Sequence, residues 1–367
     1  MPSSSPVILG LETSCDETAA AVIGCNGSVL SSVLSSQHDV HAKYGGVVPE
    51  LAARRHIETV EAIVADAMTQ AKTAWQDLDG VAVTYGPGLA GALLVGVSVG
   101  KALAYAAGIP LIAVNHLEAH MASAWMECPD LPSPCVMLVV SGGHTHLYHA
   151  RSPLAYDLIG HTLDDAAGEA FDKGAKMLGL EFPGGPAIDR IAQTSAADVV
   201  QFPRCHVKGR QKGQNFDFSF SGLKTALLYY LRDLDRAGRP RDLAAIAAGY
   251  QEAIVEVLVD KAFAAVERYH ARALAVVGGV SANSRLRALL SQRGRRNGIR
   301  VALPRMAFCT DNAAMVAAAG RLAYLEGRFA AWDLEACPGL SSAPGAAARS
   351  TGSRMKKRTQ AHAGGRA

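Results

Sequence analysis

Residues 7–23 read VILGLETSCDETAAAVI, and residues 136–149 read VMLVVSGGHTHLYH. Each is an apolar run, a short polar or glycine-rich turn and a second apolar run, the pattern of a β-hairpin whose strands lie in a buried sheet. The first turn, Glu12 to Thr18, collects acids and hydroxyls, and the second, Ser141 to Thr145, pairs two glycines with a histidine. Two such hairpins about 130 residues apart predict a duplicated fold.

The chain between and after them alternates. Pro49 opens ELAARRHIETVEAIVADAMTQA, with apolar residues at helical spacing and proline where a helix has no use for an N–H. Residues 80–108 read as strand, Gly-Pro-Gly turn and a helix of small residues. Pro110 to Val114 reads as a strand, and NHLEAHMASAW as a helix. Later, Leu243 to Tyr269 reads as one long helix, ALAVVGGV as a strand entering a glycine turn, and SRLRALLSQRG as the helix after it. Strands and helices in alternation, led twice by a hairpin, predict an α/β chain of two lobes around a cleft.

Composition agrees. Of 367 residues, 49% are hydrophobic, 19% charged and 6% aromatic, and 36 are glycine, which excludes wholesale disorder and sets a prior of two domains. The expected division is a first lobe over residues 1–130, a second over 131–330 and a disordered basic tail over 331–367. The net charge of +3 hides an asymmetry: residues 341–367 hold six basic residues and no acid, so the rest of the chain carries −3. Such a tail can hold nucleic acid or be a dispensable solvated extension.

Seven cysteines without a C-x-x-C pair suggest neither a disulfide framework nor a cysteine zinc site, and fit a reducing cytoplasm. The opening MPSSSPVILGLETS lacks the basic-then-apolar order of a signal peptide. The glycine-rich apolar stretch around Leu89 to Gly100 stops at Lys101, too short to span a bilayer, and reads as a buried helix.

His116 and His120 stand four apart, on one helix face, where two imidazoles can share a metal. A metalloprotease of the H-E-x-x-H kind needs its glutamate on that face, whereas Glu118 lies about 200° round from His116 at 3.6 residues per turn. Asp311, in FCTDNAAMVAAAG, is a candidate third ligand and equally a helix N-cap, and one carboxylate can serve both. Two imidazoles and a carboxylate with open positions suit Fe(II) or Zn(II). In the second hairpin turn, Gly142 and Gly143 let backbone N–H groups approach an anion, although a tight turn explains them as well. GGVSAN, residues 278–283, sits between strand and helix, where α/β folds bind ligands. Asp172 and Lys173 fall on an expected helix whose plain reading is a solvated face, and no P-loop motif is present. Arg204, His206, Lys208, Arg210 and Lys212 form a basic cluster suited to RNA phosphates, ahead of Phe216, Phe218 and Phe220, which read as a strand facing the core.

In order along the chain, GLETSCDETAAAV, YGPGLAGALLVG, NHLEAH, LVVSGGHTHL, DDAAGEAFDKGAKMLGL, PGGPAID, FSFSGLKTA, GGVSANSRLR and CTDNAAM closely resemble the family of tRNA N6-adenosine threonylcarbamoyltransferases over about residues 7–325. The resemblance implies the duplicated actin-like ATPase fold shared with sugar kinases. It implies transfer of threonylcarbamoyl from threonylcarbamoyl-adenylate to N6 of adenosine 37, in the anticodon loop of tRNAs reading codons that begin with A. It carries over His116, His120 and Asp311 as ligands of one metal, Fe(II) first and Zn(II) second. It carries over Val139, Val140, Ser141, Gly142, Gly143, Asp172, Gly185, Asp189 and Asn283 as adenylate contacts. Bacterial members work with a metal-free paralogue, TsaB, and a small P-loop ATPase, TsaE, and not with a membrane. The proton leaving the attacking amine needs a base, for which Asp16 or Glu17 is the expectation. The rival functions are a metal-dependent glycoprotein endopeptidase and a non-catalytic nucleotide-binding scaffold. The tail after about residue 330 and the basic stretch 207–214 depart from the family pattern.

Overall fold

Two five-stranded sheets with the same strand pattern carry the chain in a computed structural model that describes residues 5–195, 200–204 and 215–340. The first half supplies β1 (Ile8–Glu12), β2 (Glu17–Ile23), β3 (Val29–Ser36), α1 (His38–Ala42), α2 (Pro49–Ala71), β4 (Gly80–Gly86), α3 (Ala90–Ala107), β5 (Leu111–Asn115) and α4 (His116–Glu127). The second supplies β6 (Cys135–Val140), β7 (Thr145–Ser152), β8 (Ala155–His161), α5 (Ala167–Met177), α6 (Gly184–Ala192), α7 (Ser221–Arg236) and α8 (Leu243–Arg268). It ends with β9 (Ala273–Val277), α9 (Ser284–Asn297), β10 (Arg300–Ala302) and α10 (Ala313–Leu325).

The sheet orders are β3-β2-β1-β4-β5 and, read in the same sense, β8-β7-β6-β9-β10. In each, the leading hairpin gains a third antiparallel strand on one side and two parallel strands on the other. The duplication expected from the two hairpins is therefore a duplication of whole sheets. β1, β6 and β9 are buried at every position, because helices cover both faces of their sheets.

The second core gathers Phe171, Phe218, Phe220 and Tyr250 among the fully buried large side chains. Phe216, Phe218 and Phe220 face the core as expected, but 216–220 is not a strand: it touches the sheet through one bridge, Thr162 to Phe218. Asp164 takes the hydrogen bonds of Phe220 N and Ser221 N instead, at 2.8 and 3.2 Å, so the segment ends in a capped helix start.

Chain order and space part company at the end. α10 packs on β1, β2 and β4 of the first sheet. A Cβ on Gly10 would stand 2.5 Å from the Ala313 carbonyl, so glycine in β1 lets this small-residue helix lie against the strand. Residues 331–340 follow it: Leu334 is buried in the first core, and Cys337 N donates to Tyr85 O at 2.7 Å. The expected boundary at 330 is corrected accordingly, since the chain returns to the first lobe from 313 and stays there to 340. The basic residues after 340 lie outside the described residues. Among the described residues α3 alone has the length and hydropathy of a membrane span. Its Leu93, Val97 and Ala104 are buried against the first core, whereas Leu94 and Tyr105 are exposed, so the stretch read as a buried helix is covered on one side only.

Candidate metal centre and nucleotide cleft

α4 starts at His116 because Asn115 caps it, its side chain accepting from Leu117 N at 2.8 Å. His116 and His120 thus stand one turn apart at the start of α4 on its buried side, 5% and 0% exposed. Asp311 arrives from the other end of the chain. Its cap role passes to Asn312, whose Oδ1 accepts from Met315 N at 3.0 Å at the start of α10. Relieved of the helix, Asp311 turns its Oδ1 to His120 Nε2 at 3.1 Å and His116 Nε2 at 3.5 Å. One donor atom from each of the three residues lies within 4.8 Å of the others.

Glu12, the last residue of β1, stands behind His116. Its Oε2 lies 3.3 Å from His116 Nδ1 and accepts from Thr84 Oγ1 at 2.8 Å, while its Oε1 accepts from Ser14 N at 2.5 Å. A buried carboxylate on Nδ1 fixes the ring so that Nε2 faces Asp311, the arrangement that orients metal-binding histidines. Burial opposes charge on His116, but Asp311 and Glu12 outweigh it and push the imidazole up to about 9. Burial would raise the Asp311 carboxyl, yet His116 and His120 hold it far below the usual carboxylate range. His120 Nδ1 is buried without a partner, so the polar contacts of that ring run through Nε2. Two neutral-capable imidazoles, one carboxylate and a second carboxylate behind them fit a divalent transition metal.

Glu118 turns away. It accepts the Tyr156 hydroxyl and lies 4.0 Å from Arg328, so Glu118 is not the base over the histidine face that a peptidase of the H-E-x-x-H kind requires.

The donor group opens into a cleft of about 610 Å³ whose walls include Asp16, Glu17, Ser141, Gly142, Gly143, His144 and Asp311. A second cavity of about 390 Å³ adjoins it, walled by Phe171, Gly185, Asp189, Val280, Asn283 and Met306. Gly142 and Asp172 line both. A Cβ on Gly142 or Gly143 would meet nothing within 4 Å, so that backbone faces open space. Asp172 is no solvated helix residue: it is partly buried, its carboxyl raised by that burial, and it accepts Gly184 N at 2.7 Å. Asp189 accepts from Ser284 N and Oγ at 3.1 and 2.7 Å, which ties α6 to α9. Asn283 caps α9 through Leu286 N at 2.9 Å and donates to Gln251 at 2.7 Å.

Two expected contacts do not reach the cavities. Val139 and Val140 are fully buried in the core of β6, because only the residues past the strand's end emerge into the cleft. Arg204 is taken by Glu256 at 2.6 Å, and His206, Lys208, Arg210 and Lys212 lie outside the described residues. Glu17 departs from what a base requires: burial, then Asp311 and Asp16, push its carboxyl up to about 10. Glu12 and His144 belong to the two hairpin turns but are not among the expected ligands, contacts or bases. A carboxylate closing an all-apolar strand, ILGLE, was the available signal for Glu12. His144 has its pKa pushed down to about 3 by burial and by His116, which makes it a neutral ring on the cleft wall.

The family model for tRNA N6-adenosine threonylcarbamoyltransferase matches residues 28–318. The Clostridium perfringens (strain SM101) protein of that name is 46% identical over 334 residues, covering 91% of this chain and 97% of its own. The Anaeromyxobacter sp. (strain Fw109-5) protein of the same name is 52% identical over 334 residues, covering 90% and 98%. Among solved structures, full-length HypF in its phosphate- and nucleotide-bound form aligns with TM-score 0.58 at 14% identity, over 90% of this chain and 47% of that one. Component A of the (R)-2-hydroxyglutaryl-CoA dehydratase from Acidaminococcus fermentans aligns with TM-score 0.53 at 13% identity, over 88% and 99%. These likenesses place the two-sheet architecture in the actin-like ATPase fold.

Proposed function

The chain belongs to the family of tRNA N6-adenosine threonylcarbamoyltransferases, transferases that form threonylcarbamoyladenosine in tRNA, and from that premise we propose how its own residues divide the work. The observation that carries the proposal is the donor group His116, His120 and Asp311, of which His116 and Asp311 line a cavity that adjoins a second one of nucleotide size.

The smaller cavity takes the AMP part of threonylcarbamoyl-adenylate, with Asp172, Gly185, Asp189 and Asn283 around the nucleoside. The open backbone of Ser141, Gly142 and Gly143 faces its phosphate. His116, His120 and Asp311 hold one divalent metal, Fe(II) first and Zn(II) second. When bound there, that metal supplies Lewis-acid charge for the oxyanion that develops on the acyl group. The larger cavity receives adenosine 37, whose anticodon-loop position lets the base be splayed out without opening a duplex. Its N6 forms the bond to the carbamoyl carbon, the carbon–oxygen bond to phosphate breaks, AMP leaves and N6 gives up a proton.

Asp16 is the residue that accepts that proton, with Glu17 beside it in the acid form. Positive charge at the three ligands acts on Glu17 in the opposite direction to Asp311, so the roles of the two acids are separated by experiment rather than by proximity. Lys208, Arg210, Lys212 and the basic tail supply phosphate contacts that a body of net charge −3 otherwise lacks. TsaB and TsaE are the partners, in the cytoplasm.

The test is nucleoside mass spectrometry of tRNA incubated with the protein, threonylcarbamoyl-adenylate and the two partners, with His116→Ala as control. Threonylcarbamoyladenosine is expected with the unmutated chain alone. Its absence, with folded protein and partners present, would favour a nucleotide-binding scaffold, which has no use for the histidine pair.

A further inference from the structure

His38 and Phe182 lie face to face across the cleft, ring centroids 5.9 Å apart and planes 25° apart. They come from opposite lobes, His38 from the start of α1 and Phe182 from the loop that leads through Pro183 into α6. Both line the same cavity of about 610 Å³ as His116 and Asp311, and both are only half-buried. The other rings on that wall, His116 and His144, belong to the histidine group beside Asp311, 6.5 Å from one another. His38 and Phe182 are thus the flat faces in this cavity that the metal group does not use.

The backbone behind His38 is anchored. Gln37 N donates to Asp16 O at 3.0 Å, and the buried Gln37 side chain meets His41 Nε2 at 3.2 Å and Ala52 O at 3.4 Å. The backbone that leads into His38 is therefore tied to the backbone of Asp16 in the first lobe.

Transfer between an adenylate and an adenosine brings two adenines to the site, and the smaller cavity has room for one nucleoside. We infer that the His38–Phe182 pair is the stacking platform for the second, the splayed acceptor adenine, and directs its N6 toward Asp16. The inference rests on the transferase reading and adds to it the residues that receive the base. The physical basis is general: an unstacked base recovers its lost stacking on aromatic or histidine faces, an effect of about tenfold or more in affinity per base. Phe182 adjoins the Pro183–Gly185 turn of the donor cavity, so the rival role for the ring is a wall of the donor site.

The test uses the full-length chain and two anticodon stem-loops, one with adenosine at position 37 and one abasic there. For the unmutated protein the adenosine form binds about tenfold more tightly. In His38→Ala and in Phe182→Leu the ratio falls to within about twofold of unity, and His38→Tyr, which keeps a ring, restores it. Affinity for a non-hydrolysable threonylcarbamoyl-adenylate analogue stays within about twofold throughout. A wild-type ratio near one, a ratio that survives both substitutions, or loss of the donor analogue in its place overturns the inference. Product analysis of the unmutated protein runs alongside. Without threonylcarbamoyladenosine the transferase reading itself fails; with it and an unaltered ratio, only the platform does.

Discussion

Glu12 shows how one side chain can set the chemistry of another without touching a ligand. Its carboxylate sits on the Nδ1 side of His116, so Nε2 is the atom presented to Asp311. Glu12→Gln keeps the shape and removes the charge, and metal affinity measured by chelator competition should fall by about tenfold or more. Unchanged affinity would show that Glu12 merely fills space. Between the two acids of the first turn, Asp16→Asn should cost more transfer rate than Glu17→Gln, because burial and neighbouring acids already keep Glu17 protonated. Single-turnover rates within a few-fold of wild type for both would remove them as the base. His146 makes a pH prediction. Burial, then His161, lowers its pKa to about 4, so between that value and the ordinary 6.5 the unfolded chain binds the extra proton. Stability from this site is full above pH 6.5 and is lost as pH falls toward 4. Denaturant titrations should show a loss of about 2 kcal/mol over that window, flattened in His146→Gln.

At the scale of elements, helix starts decide which polar side chains remain available. Asn115 and Asn312 each cap the helix that follows, and each stands next to a candidate metal ligand, His116 or Asp311. Asn312→Ala should cost about 1 kcal/mol of stability and also weaken metal binding, because the Asp311 carboxylate becomes the nearest substitute cap. Asn312→Asp, which can still cap, should keep both in equilibrium unfolding and metal titration. The FCTDNAAM string alone left Asp311 divided between capping and binding, since either Asp311 or Asn312 precedes the helix. Where Met315 N points gives the cap to Asn312 and leaves the Asp311 carboxylate free of it.

The whole molecule is closed by its own C-terminal segment. α10 and residues 331–340 leave the second lobe and complete the core of the first, burying Leu334 and hydrogen-bonding β4 through Cys337. A chain cut after 330 should therefore be less stable than one cut after 340 by about 2 kcal/mol, the scale of one buried leucine. Thermal unfolding of the two truncations would show it, and equal Tm values would mean that the segment only decorates the surface. The same return brings Asp311 to the two histidines, so this candidate donor group exists only when the first and last thirds of the chain are packed together.

Strand and helix periods, two matching hairpins and the spacing of His116 and His120 are local properties, and the sequence alone determined them: alternation and 3.6-residue spacing need no knowledge of what a segment packs against. The ordered motifs carried the transferase family with them. Tertiary structure decided what depends on pairs of positions far apart in the chain. It placed α10 on β1, where Gly10 makes room, buried Val139 and Val140 in the strand that delivers Ser141 to the cleft, and set Glu12 behind His116. Burial, hydrogen-bond partners and charge neighbours come from the other side of the fold, and no window of sequence around a residue contains them.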